Sequence, residues 1–316
     1  MVKLFIQIPC LNEEASLPAT LADLPRTVPG VDTVEILVID DGSGDRTVAV
    51  AREAGVGHVL KFSSNQGLAR AFAAGLDYCL RQGADIIVNT DADGQYPGES
   101  IAALAAPVLS GDADIVIGDR DSGKVAHFSP IKRLLQRLGS SVVRGLSGTT
   151  VPDAASGFRA LSREAALRLN VVSDFTYTLE TIIQAGKKQL RIAHVPVVPK
   201  QTHRPSRLFP GIPTYVWRSV LTIFRVYALY EPLKFFSVIG GIALAVGGLI
   251  GVRFTLDYLA SGGAGHIQSL ILAAVLILAG FQTILIGFLA DLIGSSRRIL
   301  EDALLRIRRL ELGDDD

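Results

Sequence analysis

Five short apolar runs, LFIQI, EILVI, HVLKF, DIIVN and DIVIG, recur through the first 120 residues, and each is followed by polar or acidic residues. Between them lie stretches in which apolar residues return every three or four positions, as in Leu68 to Arg81. A short continuous apolar run marks a buried strand, whereas spacing of three and four marks one face of a helix. Strand and helix in alternation predict an α/β domain over residues 1–204, with a Rossmann-like, mostly parallel sheet covered on both faces. The pattern then changes. Phe235 to Val252 has no charged residue between Lys234 and Arg253, and Ile267 to Ala290 has none between His266 and Asp291. Uncharged stretches of this length are long enough to cross the hydrocarbon layer, about 30 Å, as helices. Transmembrane helices are therefore expected over 233–256 and 267–291.

Two further segments flank the spans. Pro205, Pro210 and Pro213 break the chain after the α/β domain, and Thr214 to Tyr230 then carries Tyr215, Trp217 and Phe224 among arginines. Aromatic rings with arginine suit the headgroup layer, so residues 205–232 are expected to lie at the membrane interface. After the second span, RRILEDALLRIRRLEL places Ile299, Leu300, Ala303, Leu304, Ile307 and Leu310 on one face of an amphipathic helix within 295–316. That face is free to meet another subunit or the membrane. Together with the glycine-rich span GGIALAVGGLIG, it leads to the expectation of a homo-oligomer.

Charge adds direction. Lys plus Arg and Asp plus Glu each total 31, which gives no case for a nucleic-acid partner. Their placement is more telling. Arg218, Arg225 and Lys234 precede the first span and Arg297, Arg298, Arg306, Arg308 and Arg309 follow the second, while the loop between holds only Arg253 and His266. Positive charge gathers on the cytoplasmic side, so both termini are expected in the cytoplasm of a cell with a two-span protein in its inner (plasma) membrane. The opening MVKLFIQIPCLNEE is interrupted by Gln7 and followed at once by acids, unlike a signal peptide. Cys10 and Cys79 form no CxxC pair and have no neighbouring histidine, so neither a disulfide framework nor a zinc site is expected.

Open α/β sheets bind ligands beyond the carboxyl ends of their strands. There the chain places PCLNEE, DDGSGDRT, SSNQGLARA, DADGQ and GDRD, one after each apolar run. In DADGQ, Asp91 and Asp93 supply the oxygen ligands that hard cations such as Mg²⁺ or Mn²⁺ take alongside substrate phosphates. A plain turn uses the same residue types. In DDGSGDRT, Asp40 and Asp41 are able to accept hydrogen bonds from a base edge or ribose hydroxyls, and Gly42 and Gly44 permit close backbone approach. Asn12 and Glu13 hold the equivalent place after the first run.

PCLNEE, DDGSGDRT, NQG at 65–67, DADGQ, GDR and DAASGFRAL, in this order and spacing, resemble the family 2 glycosyltransferases of the GT-A fold. With two C-terminal spans, the chain is similar to the polyprenyl-phosphate glycosyltransferases, among them dolichol-phosphate mannose synthases and undecaprenyl-phosphate glucosyltransferases. The resemblance implies that Asp91, Asp93 and Gln95 surround Mg²⁺ or Mn²⁺. It implies that Pro9, Leu11, Asn12, Glu13, Asp40, Asp41, Arg70, Asp91 and Ala92 hold a UDP- or GDP-sugar, with Leu11 standing where relatives often have tyrosine. Arg120 would face the diphosphate and the acceptor phosphate, and Asp153 would be the catalytic carboxylate. Arginines bind phosphate through paired hydrogen bonds, which adds Arg133, Arg137, Arg159, Arg204 and Arg207 as acceptor-phosphate candidates. A lipid phosphate is already ionised near neutral pH, so attack on the anomeric carbon needs positioning and charge screening more than a base; Asp153 has the alternative of orienting an arginine or a sugar hydroxyl. The implied reaction is inverting transfer of one sugar from a nucleotide sugar to polyprenyl phosphate at the cytoplasmic face of the bilayer. A processive polysaccharide synthase and an inactive membrane scaffold are the alternatives.

Overall fold

The computed structural model describes residues 1–120, 147–149, 151–171, 177–200, 228–261 and 267–313, with a few isolated positions between these ranges. All five apolar runs are strands: β1 (Lys3–Cys10), β2 (Thr33–Asp40), β3 (His58–Lys61), β4 (Ile86–Asn89) and β5 (Ile115–Asp119). Two more, β6 (Arg159–Ser162) and β7 (Ile192–Pro196), complete a seven-stranded sheet in the order β3-β2-β1-β4-β6-β5-β7. β6 pairs antiparallel with β4 and β5, and every other pairing is parallel. β1 lies in the middle of the longest parallel stretch and is buried from Leu4 to Cys10. A strand covered on both faces has no polar side to show, which is why its sequence reads as a run rather than an alternation.

Helices α1 (Leu17–Asp23), α2 (Thr47–Glu53), α3 (Leu68–Arg81), α4 (Ser100–Leu109), α5 (Arg163–Arg168) and α6 (Tyr177–Lys187) connect or flank the strands. In α3, Ala69, Phe72, Leu76, Cys79 and Leu80 are buried, following the spacing of three and four, and the core gathers Leu4, Ile6, Ile8, Val38, Val88 and Val116 with Leu21, Ile101 and Leu104. Each such aliphatic side chain contributes roughly 1.5–3 kcal/mol by leaving water. The carboxyl ends of β1, β2, β4 and β5 end on one edge of this sheet, where the acidic segments begin.

Two units divide the chain. The first comprises Met1–Val220 and Leu305–Asp316, and the second Leu221–Leu304. In the first unit, Arg308 donates to the carbonyl oxygens of Leu167 and Leu169 at 3.1 and 3.3 Å, and Arg309 pairs with Glu164 at 2.8 Å. The second unit is dominated by α7 (Pro232–Ser261) and by most of α8 (Ile267–Leu312), both long and apolar enough to cross a membrane. They run antiparallel at close range. A methyl on Gly240 would stand 2.6 Å from the Gly280 carbonyl oxygen, and one on Gly280 would stand 2.7 Å from the Gly240 carbonyl oxygen. Small residues let backbones approach in this way. One expectation is corrected: the second span and the C-terminal amphipathic helix are not separate elements but one helix of 46 residues. The interfacial segment expected at 205–232 lies largely outside the described residues.

Candidate active site

The loops after β1 and β2 are laced together. Asn12 takes φ 55°, a left-handed conformation that asparagine tolerates; its N–H donates to Ser43 Oγ at 2.9 Å, and its Oδ1 accepts from the Gly44 N–H at 2.9 Å. The Glu13 N–H donates to Thr47 Oγ1 at 2.8 Å. Pro9 is buried at the end of β1 and Leu11 half-buried just beyond it. Asp40 and Asp41, adjacent in sequence, do different things. Asp40 Oδ1 accepts from the Ser43 N–H at 3.1 Å, whereas its Oδ2 is buried with no hydrogen-bond partner among the described residues. A buried carboxylate oxygen left without a donor is costly, and an incoming N–H or hydroxyl relieves it. Asp41, expected beside the nucleoside, instead clasps its own chain: Oδ1 accepts from the Gln66 N–H at 2.7 Å and Oδ2 from the Gly67 N–H at 2.9 Å, fixing the NQG turn that starts α3. Arg70 follows, exposed in the first turn of α3.

After β4, the DADGQ turn is fixed from three directions. Asp93 Oδ1 accepts from the Gln95 N–H at 3.0 Å, Thr20 Oγ1 donates to the carbonyl of buried Ala92 at 3.0 Å, and the Lys200 N–H donates to the Gln95 carbonyl at 2.8 Å. Burial pushes the Asp91 carboxyl up to about 6, aided by the charges of Asp93 and Glu13 and opposed by Arg120. Two carboxylates held in mutual repulsion suit a hard divalent cation. Among the described residues no group of three His, Cys, Asp or Glu side chains gathers as a metal site, so such an ion would complete its shell with oxygens from Gln95 or from a bound diphosphate.

Beneath Asp91 runs a buried polar column that the sequence reading missed. Gln7 Nε2 donates to Asn89 Oδ1 at 3.0 Å, across the register that pairs these two residues on β1 and β4. Asn89 Nδ2 donates to the Gly157 carbonyl at 2.8 Å and, more weakly, to Tyr177 Oη at 3.4 Å. Gly157 passes so close that a side-chain carbon there would stand 2.9 Å from Tyr177 Oη and 3.2 Å from Asp91 Oδ1. The signal was available: Gln7 and Asn89 are the lone amides in otherwise apolar runs.

Arg120, at the end of β5, meets Asp153 in a two-pronged ion pair, Nε to Oδ2 at 2.7 Å and Nη2 to Oδ1 at 3.1 Å. The Asp153 side chain has no exposed surface, and the Arg120 side chain is 17% exposed. Expected as the catalytic carboxylate, Asp153 has both oxygens engaged by the guanidinium, the geometry of an orienting group. Arg159, expected at the acceptor phosphate, is corrected. It is fully buried, donating from Nε to the Ser156 carbonyl at 2.8 Å, from Nη2 to the Ala154 carbonyl at 3.0 Å and from Nη1 to Thr181. Burial pulls its guanidinium down to about 10, so it stays charged at neutral pH while bracing the 153–156 turn. Arg133, Arg137, Arg204 and Arg207 lie outside the described residues.

The family model described as "Glycosyl transferase family 2" matches residues 5–169. Polyprenol monophosphomannose synthase of Mycolicibacterium smegmatis is 30% identical over 60% of this chain and 74% of its own length. Undecaprenyl-phosphate mannosyltransferase of Micrococcus luteus is 32% identical over 60% of this chain and 80% of its own. A prophage bactoprenol glucosyl transferase homolog of Escherichia coli K12 is 26% identical over 93% of this chain and 94% of its own. Among solved structures, glucosyl-3-phosphoglycerate synthase from Mycobacterium tuberculosis, in complex with Mn²⁺ and uridine-diphosphate-glucose, matches with a TM-score of 0.54 and 22% identity over 72% of this chain and 78% of that one. At that identity the likeness is one of fold.

Proposed function

The chain belongs to glycosyl transferase family 2, and from that membership we propose that it is a membrane-bound enzyme transferring one sugar, with inversion, from a nucleoside diphosphate sugar to a polyprenyl phosphate at the cytoplasmic face. The observation that carries the acceptor class is the alignment with the bactoprenol glucosyl transferase homolog. Spanning 93% of this chain and 94% of that one, it is too long to leave out α7 and α8. The two relatives named for lipid phosphates support the same class.

In this reading the loops after β1 and β2 hold the nucleoside, with the free Asp40 oxygen accepting a base or ribose donor. The DADGQ turn holds the diphosphate end. A bound divalent ion, seated on Asp91 and Asp93, would neutralise charge on the departing nucleoside diphosphate. Arg120, aimed by Asp153, offers its remaining N–H groups to a phosphate oxygen and places it in line with the anomeric carbon. The phosphate oxygen forms the new bond as the bond to the diphosphate breaks, and inversion follows from attack on the opposite face. No proton has to move, because the acceptor arrives ionised.

The full chain, purified in detergent and incubated with radiolabelled nucleotide sugars and undecaprenyl phosphate, is expected to yield organic-soluble label that EDTA abolishes and Mn²⁺ or Mg²⁺ restores. Failure of every donor in a broad panel to label the lipid sinks the proposal, and a water-soluble polymer would point to a processive synthase instead.

A further inference from the structure

The DADGQ turn is restrained by residues far from it in sequence. Thr20 and Asp23 stand three apart on α1 and share one face of it. Thr20 holds the start of the turn, donating to the Ala92 carbonyl at 3.0 Å. Asp23 holds the chain that leaves the turn, its Oδ2 accepting from the Gly98 N–H at 2.7 Å. The two backbones approach so closely that a methyl on Gly98 would run into the Asp23 carbonyl oxygen. The same Asp23 Oδ2 accepts from Lys200 Nζ, also at 2.7 Å.

Lys200 thus grips twice. Its N–H donates to the Gln95 carbonyl at 2.8 Å, inside the turn, while its ammonium group reaches the carboxylate on α1. Three residues earlier the Val197 N–H donates to the Asp119 carbonyl at 2.8 Å, and Val197 is buried, so residues 197–200 are fastened at both ends. The hydrogen bond from Lys200, followed by that from Gly98, holds the Asp23 carboxyl below the usual carboxylate value, which keeps the pair ionised at neutral pH. Both side chains are nevertheless open to solvent, Lys200 48% and Asp23 40% exposed. An ion pair so placed adds little to global stability. Its position suits a local task.

That task follows from the charges in the turn. Asp91 and Asp93, two residues apart, repel each other, and without a cation an unrestrained turn lets them separate. Gly94, at φ 69°, gives the bend but no stiffness. The free energy needed to bring the two carboxylates back together is subtracted from the affinity for the ion, whereas a turn already held in shape keeps that affinity whole. We propose that Asp23 and Lys200 are positioning residues for the divalent cation, pinning the DADGQ turn in the shape in which Asp91 and Asp93 face one ion. They act through the turn rather than on the ion. The inference rests on the reading of Asp91 and Asp93 as the cation site.

Titration of the full chain in detergent with Mn²⁺, read by loss of the free-ion electron paramagnetic resonance signal, tests it, with Asp93→Asn as the blank. Lys200→Met is expected to weaken Mn²⁺ binding about threefold, and Asp23→Ala, which also strands the Gly98 N–H, about tenfold. Lys200→Arg should bind as wild type does. The double variant Asp23→Ala/Lys200→Met should bind no more weakly than Asp23→Ala alone, because both changes remove the same contact. Arg191→Gln, which breaks an ion pair with Asp114 at the other end of β7, is expected to leave Mn²⁺ binding unchanged. Metal-free thermal midpoints are read alongside. Variants that lower the midpoint but keep wild-type Mn²⁺ affinity overturn the proposal, as does an Arg191→Gln that weakens binding as much as Lys200→Met. Wild type that binds no more Mn²⁺ than Asp93→Asn removes the cation site and the positioning role with it, while lipid labelling by wild type reads the transfer reaction separately.

Discussion

Asp91 binds its proton more tightly in the folded protein than in the unfolded chain, its carboxyl standing at about 6 rather than 3.8. Folding without a cation is therefore favoured below about pH 4 by this group, and that advantage is lost as pH rises through about 6, on the order of 3 kcal/mol in all. Asp91→Asn is expected to raise the metal-free thermal midpoint by a few degrees at pH 7, with the gain over wild type shrinking toward zero at pH 4. Added Mn²⁺ should raise the wild-type midpoint at pH 7 and leave the variant unmoved; scanning fluorimetry across pH 4–8 reads both effects, and a gain independent of pH would contradict them. For Asp153, the engaged carboxylate predicts that Asp153→Asn lowers kcat by about a hundredfold, since Arg120 loses its ionic partner. The shape of the pH–rate profile should stay as it was; loss of its acid limb would restore Asp153 as a base. The sequence marked these acids as a set, but it did not reveal their partners. Asp41 bonds 25 and 26 residues away and Asp153 bonds 33 away, and such distances are set by how loops fold back rather than by local pattern.

The elements most legible in sequence were those buried on both faces, although His58–Lys61, partly buried at one edge of the sheet, was legible as well. LFIQI and EILVI declare themselves because polar and apolar residues do not alternate along them; the one amide within them, Gln7, is itself buried against Asn89. RALS does not: it is four residues long, opens on an arginine turned inward, and runs straight into a helix capped by its own serine, Ser162 Oγ accepting from the Ala165 N–H at 3.1 Å. IAHVP is an edge strand, only partly buried, and too mixed to stand out. The continuity of α8 is hidden in the sequence for a simpler reason. Gly294, Ser295 and Ser296 look like a break, but a glycine in a helix costs only about 1 kcal/mol, and a long apolar helix absorbs it. The glycines of α7 and α8 differ among themselves. Gly280→Leu, driven against the Gly240 backbone, is expected to lower the thermal midpoint in detergent by several degrees, while Gly241→Leu, with nothing within 4 Å of the added carbon, should leave it within a degree or two. Equal effects at both sites would mean that the two helices do not touch where the glycines meet.

At the scale of the molecule, alternation of strand and helix announced a mostly parallel sheet, and the acidic segments announced which edge of it to watch. Strand order was not legible, because apolar runs carry no record of their neighbours. The order β4-β6-β5 places residues 159–162 between two strands that end at Asn89 and Asp119. That feature bears on biosynthesis. As the chain leaves the ribosome, β4 waits through roughly seventy further residues for the strand that closes it, on the order of ten seconds at ordinary elongation rates. During that interval its backbone is an open edge, inviting to other nascent strands. Ribosome-bound chains ending near residue 120 would hold a sheet in two pieces, and only those extended past β6, before α7 has emerged, would contain every strand that surrounds Asp91.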